Sequence, residues 1–413
     1  MPAQTLRPAH RLTLLKGGEA LFPALVKAID AARSEVLLET YILEFARSVI
    51  PVAQALERAG ARGVTVCVVV DGVGTGDIPM EWQARWHAAG VRWRVFNPAR
   101  GWRLLLPPRW RRLHRKLCVV DGMVAFCGGI NLLDDYYDPN HGELVEPRLD
   151  FAVRATGPLV EDMHDTMTRL WWRLQVAREA QKFDFEGALR AVRQAAQAGV
   201  ESPAAKDGLA PVAEDGPAVG AVAALVLRDN VRYRRRIEGT YRAAIAQARS
   251  EILIANAYFV PGVQLQRALI RAARRGVRIT LLLQGRYEYF MQFHASRAAY
   301  GPFLKAGIAI FEYDASFLHA KVAVMDAKAG PLATVGSSNL DPLSLLLARE
   351  ANVFVRDEAF AAELRGHLMH AIAHQGRMVD AEAYLQRPML TRALNWVAYG
   401  LMRFALLLTG NRY

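Results

Sequence analysis

The sequence predicts an α/β protein of two similar α/β/α domains, related by a pseudo-twofold axis and sharing a cleft at their interface. Three observations predict this. Apolar strand-like runs alternate with helix-length segments in both halves of the 413 residues. Short stretches of the first half recur in the same order in the second. One polar motif stands once in each half, as LHRKLCVVDGMVAFCGGIN at 113–131 and LHAKVAVMDAKAGPLATVGSSN at 318–339.

Residues 21–71 read as helix, strand, helix, strand. Phe22-Pro23 opens a helix carrying Leu25, Ile29 and Ala32, and a strand follows at 35–42. A second helix, 52–59, ends at Gly60 and Gly63 and leads into the apolar strand 64–70. Strands and helices alternating at this length indicate parallel β-α-β units. The order then repeats. Ala32-Arg33-Ser34-Glu35-Val36-Leu37-Leu38 matches Ala248-Arg249-Ser250-Glu251-Ile252-Leu253-Ile254, Arg62-Gly63-Val64 matches Arg275-Gly276-Val277, and Ala89-Gly90-Val91 matches Ala306-Gly307-Ile308. A repeat of this length is a domain rather than a solenoid unit, so the two copies are expected to pack face to face. The boundaries read as a first catalytic domain at 1–180, a linker rich in Ala, Gly, Pro and charge at 181–220, a second catalytic domain at 221–378, and an apolar tail at 379–413. Within the linker, 185–198 has helical character.

In each motif a His and a Lys stand two apart at the head of an aliphatic run. The period of two points His114 with Lys116, and His319 with Lys321, to one face of a buried strand. Asp121-Gly122 predicts a tight hairpin turn that returns through Val124-Ala125-Phe126 and brings Gly128, Gly129 and Asn131 back beside the His. The second copy carries Gly336-Ser337-Ser338-Asn339 at the same place. Asp121 and Asp326, at odd spacing from the Lys, fall off that face, where a carboxylate holds a turn. Glu39, Tyr41 and Glu44 end the first strand of the first half, where α/β proteins bind ligands, and Tyr258 is the counterpart of Tyr41. Two imidazoles and two ammoniums, with no carboxylate cluster to hold a metal, suit attack on a phosphodiester. One His serves as nucleophile, the other protonates the leaving alkoxide, and the lysines and asparagines stabilise the non-bridging oxygens.

A net charge of +12 and a pI near 9.8 call for an anionic partner, either nucleic acid or anionic lipid. Cys67, Cys118 and Cys127 lie in apolar runs, which argues for reduced thiols in a cytosolic setting. The N-terminus lacks the apolar core of a signal peptide, and no apolar run is long enough to span a bilayer. Between 102 and 115, Trp102, Arg103, Trp110, Arg111 and Arg112 mix with leucines, the composition of a membrane-surface loop; a loop packed on the second domain is the other reading. The tail at 390–413, with Trp396, Tyr399 and Phe404, reads as an in-plane membrane helix or as a terminal helix docked on the body.

The doubled H-x-K-x4-D pattern, the string RKLCVVDGMVAFCGGIN and Tyr136-Tyr137 resemble the phospholipase D superfamily, most of all the B group of bacterial cardiolipin synthases. The likeness runs over residues 21–376. It implies phospholipase D-type domains with the active site at their interface, and His114, Lys116, Asp121, His319, Lys321 and Asp326 as the catalytic motif. It implies no metal and no other cofactor. Its partners are phosphatidylglycerol and an anionic membrane surface rather than nucleic acid, and its place is peripheral on the cytoplasmic face of the bacterial cell membrane. An acid after each motif orients a catalytic His in this superfamily, which gives Asp150 to His114 and Glu350 to His319, with Asn131 and Asn339 in support. The implied reaction transfers a phosphatidyl group between two phosphatidylglycerol molecules, giving cardiolipin and glycerol through a phosphohistidine. A hydrolytic phospholipase D or another phosphatidyltransferase, and a phosphodiesterase nuclease of the same superfamily, are the competing readings.

Overall fold

Each half is a strand-helix alternation whose strands are buried on both faces, so the computed structural model, which describes residues 6–98, 110–181, 194, 220–229, 233–341 and 348–408, is layered throughout. The first half contributes β1 (Arg7–Lys16), β2 (Glu35–Thr40), β3 (Thr65–Asp71), β4 (Arg92–Phe96), β5 (Arg112–Leu113), β6 (Lys116–Val120), β7 (Val124–Gly128), the small β8 (Tyr137–Asp138) and β9 (Gly142–Glu143), and β10 (Phe151–Thr156). The second contributes β11 (Ala221–Arg228), β12 (Ala248–Asn256), β13 (Arg278–Gln284), β14 (Ala309–Tyr313), β15 (Lys321–Ala327), β16 (Gly330–Gly336), β17 (Ala348–Arg356) and β18 (Gly376–Met378).

The strand orders β4-β3-β2-β6-β7-β10-β1 and β14-β13-β12-β15-β16-β17-β11 are the same plan twice. Parallel pairs at β2-β3-β4 and β12-β13-β14 follow from right-handed helical crossovers, and the motif hairpins add antiparallel strands beside them. Gly63 and Gly276 stand just past equivalent helices at φ +88 and +89, the left-handed geometry that stops a helix at the same point in each copy.

The halves meet in two ways. As expected they face each other: one core joins Leu37, Leu117 and Phe151 of the first half to Leu253, Val322 and Val353 of the second, with helices Leu159–Gln181 and Glu358–Gln375 packed into it. They are also joined edge to edge, because β1 pairs antiparallel with β11 and makes one continuous sheet across the pseudo-twofold axis. Two further cores lie outside, each under the crossover helices of one half, which completes the α/β/α layering.

Three readings of the sequence need correction or placing. The helix expected to open at Phe22 begins at Gly17 and takes Pro23 inside it, because Gly17 turns at φ +70 and the Gly18 N–H is capped by the Asp135 carboxylate at 2.5 Å. The linker, including 185–198, lies outside the described residues apart from its two ends and residue 194. The tail is a helix, Met389–Leu408, docked against helix Phe290–Ala298 through buried Ala398 and Met402 and a 2.8 Å bond between Asn395 and His294. Its other side leaves Leu394, Trp396, Val397, Leu401 and Phe404 exposed. No helix among the described residues is long and apolar enough to cross a membrane.

Candidate active site

The two motifs fold as hairpins, β6-β7 and β15-β16. Asp121 and Gly122 both adopt positive φ, +52 and +64, which is the tight turn that Asp-Gly predicts. The histidines, however, precede their strands. β6 starts at Lys116 and β15 at Lys321, so each His sits in the segment leading in, two residues short of the ladder. The lysines stand behind the imidazoles: Lys116 Nζ donates to the carbonyl of His114 at 2.8 Å, and Lys321 Nζ donates to that of His319.

The lead-in segments cross to the opposite half. β5 pairs in parallel with β17, and His114 N–H donates to the Arg349 carbonyl at 3.0 Å. Symmetrically, His319 N–H donates to the Leu149 carbonyl at 2.9 Å, and Leu149 N–H to that of Phe317 at 3.0 Å. Arg349 and Leu149 are the residues immediately before the two acids. This overturns the pairing expected from the sequence. His114 Nδ1 lies 3.1 Å from the Glu350 carboxylate, and His319 Nδ1 lies 2.6 Å from Asp150 Oδ2. The acids are exchanged between the halves, because the backbone bonds just described place each His beside the other half's strand end.

His114 and His319 line one cleft of about 790 Å³, together with Asn131, Asn339, Tyr41 and Tyr258. With Nδ1 engaged on an acid, each ring keeps Nε2 for chemistry in the cleft. Burial drives Lys116 down to about 7 and Lys321 down to about 8, the nearby carboxylates holding them from falling further. The two His-acid pairs differ. Burial raises Asp150 to about 7, and burial with the surrounding cations lowers His319 well below its usual value, so that pair is driven toward its neutral form. Burial acts to raise Glu350 as well, but His114, Lys116 and the Ser337 hydroxyl outweigh it and hold the carboxylate ionised. Ser337 Oγ donates to Glu350 Oε2 at 2.5 Å. Its counterpart beside Asp150 is Gly129, where a Cβ would come within 2.4 Å of the carboxylate.

The remaining sequence candidates fall elsewhere. Asp121 accepts from the backbone N–H groups of Arg33, Ser34 and Glu35 at 2.8–2.9 Å, tying the hairpin to the start of β2, and Asp326 accepts from the Ser250 hydroxyl. Neither lines the cleft. Glu39 is buried beneath the site in an ion pair with Arg115 at 2.7 Å, so Arg115, at the end of the Trp/Arg stretch, is a core residue. Trp110 and Arg112 line the cleft, Arg111 is exposed, and Trp102 and Arg103 lie outside the described residues. Sequence reasoning missed Arg148, which lines the cleft while pairing with Asp138 at 3.0 Å, and Glu288. Neither belongs to the repeated motif, to a strand end with a counterpart in the other half, or to the Trp/Arg stretch, the signals that marked the others. Cys67, Cys118 and Cys127 are buried thiols within strands. Among the described residues no group of three or more His, Cys, Asp or Glu is arranged to hold a metal ion.

Comparisons with known proteins bear on this geometry. The family model described as "Cardiolipin synthase, PLD-like domain" matches residues 25–170 and 241–372, one stretch in each half. Cardiolipin synthase B of Escherichia coli (strain K12) is 37% identical over 383 residues, covering 91% of this chain and 83% of that protein. The protein of the same name from Salmonella typhi is 33% identical over 408 residues, covering 96% of this chain and 89% of its own length. Among solved structures, the phosphatidylserine synthase of Haemophilus influenzae Rd KW20 has a TM-score of 0.61 at 10% identity, covering 98% of this chain and 96% of that one, a likeness of fold.

Proposed function

The chain belongs to the cardiolipin synthases of the phospholipase D superfamily, enzymes of phosphatidyl transfer, and from that premise we propose that it moves a phosphatidyl group from one phosphatidylglycerol to a hydroxyl of a second. One observation carries this reading: two imidazoles open on one cleft, each braced through Nδ1 by a carboxylate of the opposite half.

His114 Nε2 attacks phosphorus, and His319 delivers a proton to the glycerol oxygen as its bond to phosphorus breaks. The phosphatidyl group then rests on His114. A hydroxyl of the second lipid surrenders its proton to His319 and attacks phosphorus, which frees His114 and completes cardiolipin. The ionised Glu350 suits the nucleophile, since it stabilises positive charge growing on His114. The neutral-leaning Asp150 pair suits proton transfer, because the incoming phosphodiester offsets the cations that depress His319. Lys116, Lys321, Asn131 and Asn339 stabilise the non-bridging oxygens. One phosphodiester is exchanged for another, so no nucleotide is consumed.

The exposed face of helix Met389–Leu408, Leu394, Trp396, Val397, Leu401 and Phe404, is assigned to the membrane surface, with Phe290 on the neighbouring helix. That neighbour also carries Gln292 into the cleft, so lipid would enter beside the anchored face. The test is incubation of the purified chain with phosphatidylglycerol vesicles in chelator, followed by lipid mass spectrometry. Cardiolipin with equimolar glycerol is expected; phosphatidic acid would replace the transferase with a hydrolase, and no lipid turnover would remove both.

A further inference from the structure

The two walls of the cleft are chemically unlike. On the first-half side stand Trp110, Arg112 and Tyr41, whose ring packs 4.9 Å from that of His114. On the second-half side stand Tyr258, Glu288, Tyr289 and Gln292. Tyr258, the counterpart of Tyr41, does not stack on an imidazole. Its hydroxyl donates to Glu288 Oε2 at 2.5 Å, and its ring meets that of Tyr289 at 6.4 Å.

Glu288 is out of place in a cleft built for phosphate. A carboxylate is an acceptor with negative charge, so it repels a phosphodiester and gives it no hydrogen bond. Nor is it spent on a structural ion pair: among the described residues no Lys, Arg or His nitrogen lies within 4.0 Å of it. The Gln284 side chain, four residues before Glu288, accepts from the N–H of Leu318 at 3.0 Å, which sets this segment beside His319; burial pushes the Glu288 carboxyl up, with Arg148 and Lys321 acting the other way. What a fixed carboxylate recognises well is a pair of hydroxyl donors, and a glycerol headgroup carries them.

We propose that Glu288, braced by Tyr258, forms a polyol subsite that hydrogen-bonds the free hydroxyls of a glycerol moiety beside His319. This rests on the transfer reaction above and names its acceptor class. The departing group and the entering headgroup are both glycerol moieties, so one subsite serves both half-reactions. The proton passes through His319, while Glu288 holds the free hydroxyls beside the reacting oxygen, two in the departing glycerol and one in the entering headgroup, and so aligns that oxygen. Water and simple alcohols, which lack the vicinal hydroxyl, gain nothing from it.

The test measures acceptor choice in one vessel. The full chain is incubated with phosphatidylglycerol vesicles and an equimolar mixture of deuterated glycerol and 1-propanol, and labelled phosphatidylglycerol is compared with phosphatidylpropanol by mass spectrometry. The wild-type chain is expected to favour glycerol. Glu288→Ala should lower the ratio about tenfold or more, and Tyr258→Phe, which keeps the carboxylate and loses its brace, about threefold. Both products come from the same sample, so the ratio is independent of how much of a variant is folded. A wild-type chain without preference, or a ratio that stays put in both variants, overturns the polyol subsite and leaves the transferase standing. A wild-type chain that forms cardiolipin but neither of these products overturns the subsite alone, and one that forms no cardiolipin either overturns the transfer reaction and the subsite with it.

Discussion

The two half-sites share one plan and diverge in how each acid is held. Glu350 receives the Ser337 hydroxyl and the His114 ring, whereas Asp150 has Gly129 packed against it and answers to His319 with the Phe151 N–H. The longer acid with a hydroxyl partner stays ionised; the shorter one, with no hydroxyl partner, drifts toward the protonated form. Two differences, Glu350 against Asp150 and Ser337 against Gly129, thus separate two sites built on one plan. The comparison teaches that two imidazoles with the same setting in the sequence differ in the company their carboxylates keep, and the roles proposed for them rest on that difference.

The largest break in that comparison comes from the histidines. His114→Ala and His319→Ala should each lower turnover by roughly 10⁴-fold or more while vesicle co-sedimentation is retained. With an activated nitrophenyl ester, whose leaving group needs no proton, His319→Ala should regain the first release of nitrophenol, about one equivalent per enzyme, and His114→Ala should not; the reverse result would exchange their roles. Next come the acids. Glu350→Ala and Asp150→Ala should each cost roughly 10²- to 10⁴-fold. The crossed wiring is checked by the same ester, which should spare Asp150→Ala, the variant on the His319 side, and not Glu350→Ala.

The pH profile sharpens the contrast by a smaller margin. Burial pushes Lys116 down to about 7 and Lys321 down to about 8, so raising pH through that window removes positive charge from behind the two imidazoles. The value of kcat/KM should therefore fall roughly tenfold per pH unit between 7 and 8, and more steeply above 8 where both ammoniums are lost. A flat profile from pH 7 to 9.5 would show that the lysines stay protonated. Ser337→Gly, which makes the second half imitate the first, should lower kcat about 3- to 10-fold through loss of one charge-assisted hydrogen bond. Asp121→Ala should act on stability alone, by about 1–2 kcal/mol, with Asp326→Ala costing less because only the Ser250 hydroxyl is bound there; thermal unfolding beside a turnover assay checks both.

The fold was legible because repetition and alternation are local signals. The motif hairpins, the β-α-β units and the terminal helix all follow from turn residues and periodicity along a few dozen positions. The seam was not: β1, RPAHRLTLLK, has weak alternation, and its strand character comes from β10 and β11 on either side, partners far away in the chain. The His-acid assignment failed for the same reason. Asp150 follows His114 closely in sequence, yet the ladder at Arg349 brings Glu350 to that ring, and no pattern of neighbours along the chain encodes such an exchange. Arg115 showed a further limit, since a guanidinium in a basic run reads as surface until Glu39 is found beside it in the core.

Because each ring leans on a carboxylate donated from across the axis, the catalytic pieces are wired like a handshake. A lone half would fold around an imidazole whose Nδ1 meets nothing, and only by pairing with another copy of itself could it recover two identical, undifferentiated stations. With both copies in one chain that symmetry requirement is absent, so one station can carry Ser337 and the other Gly129. The exchange that makes the halves inseparable is also what let them specialise.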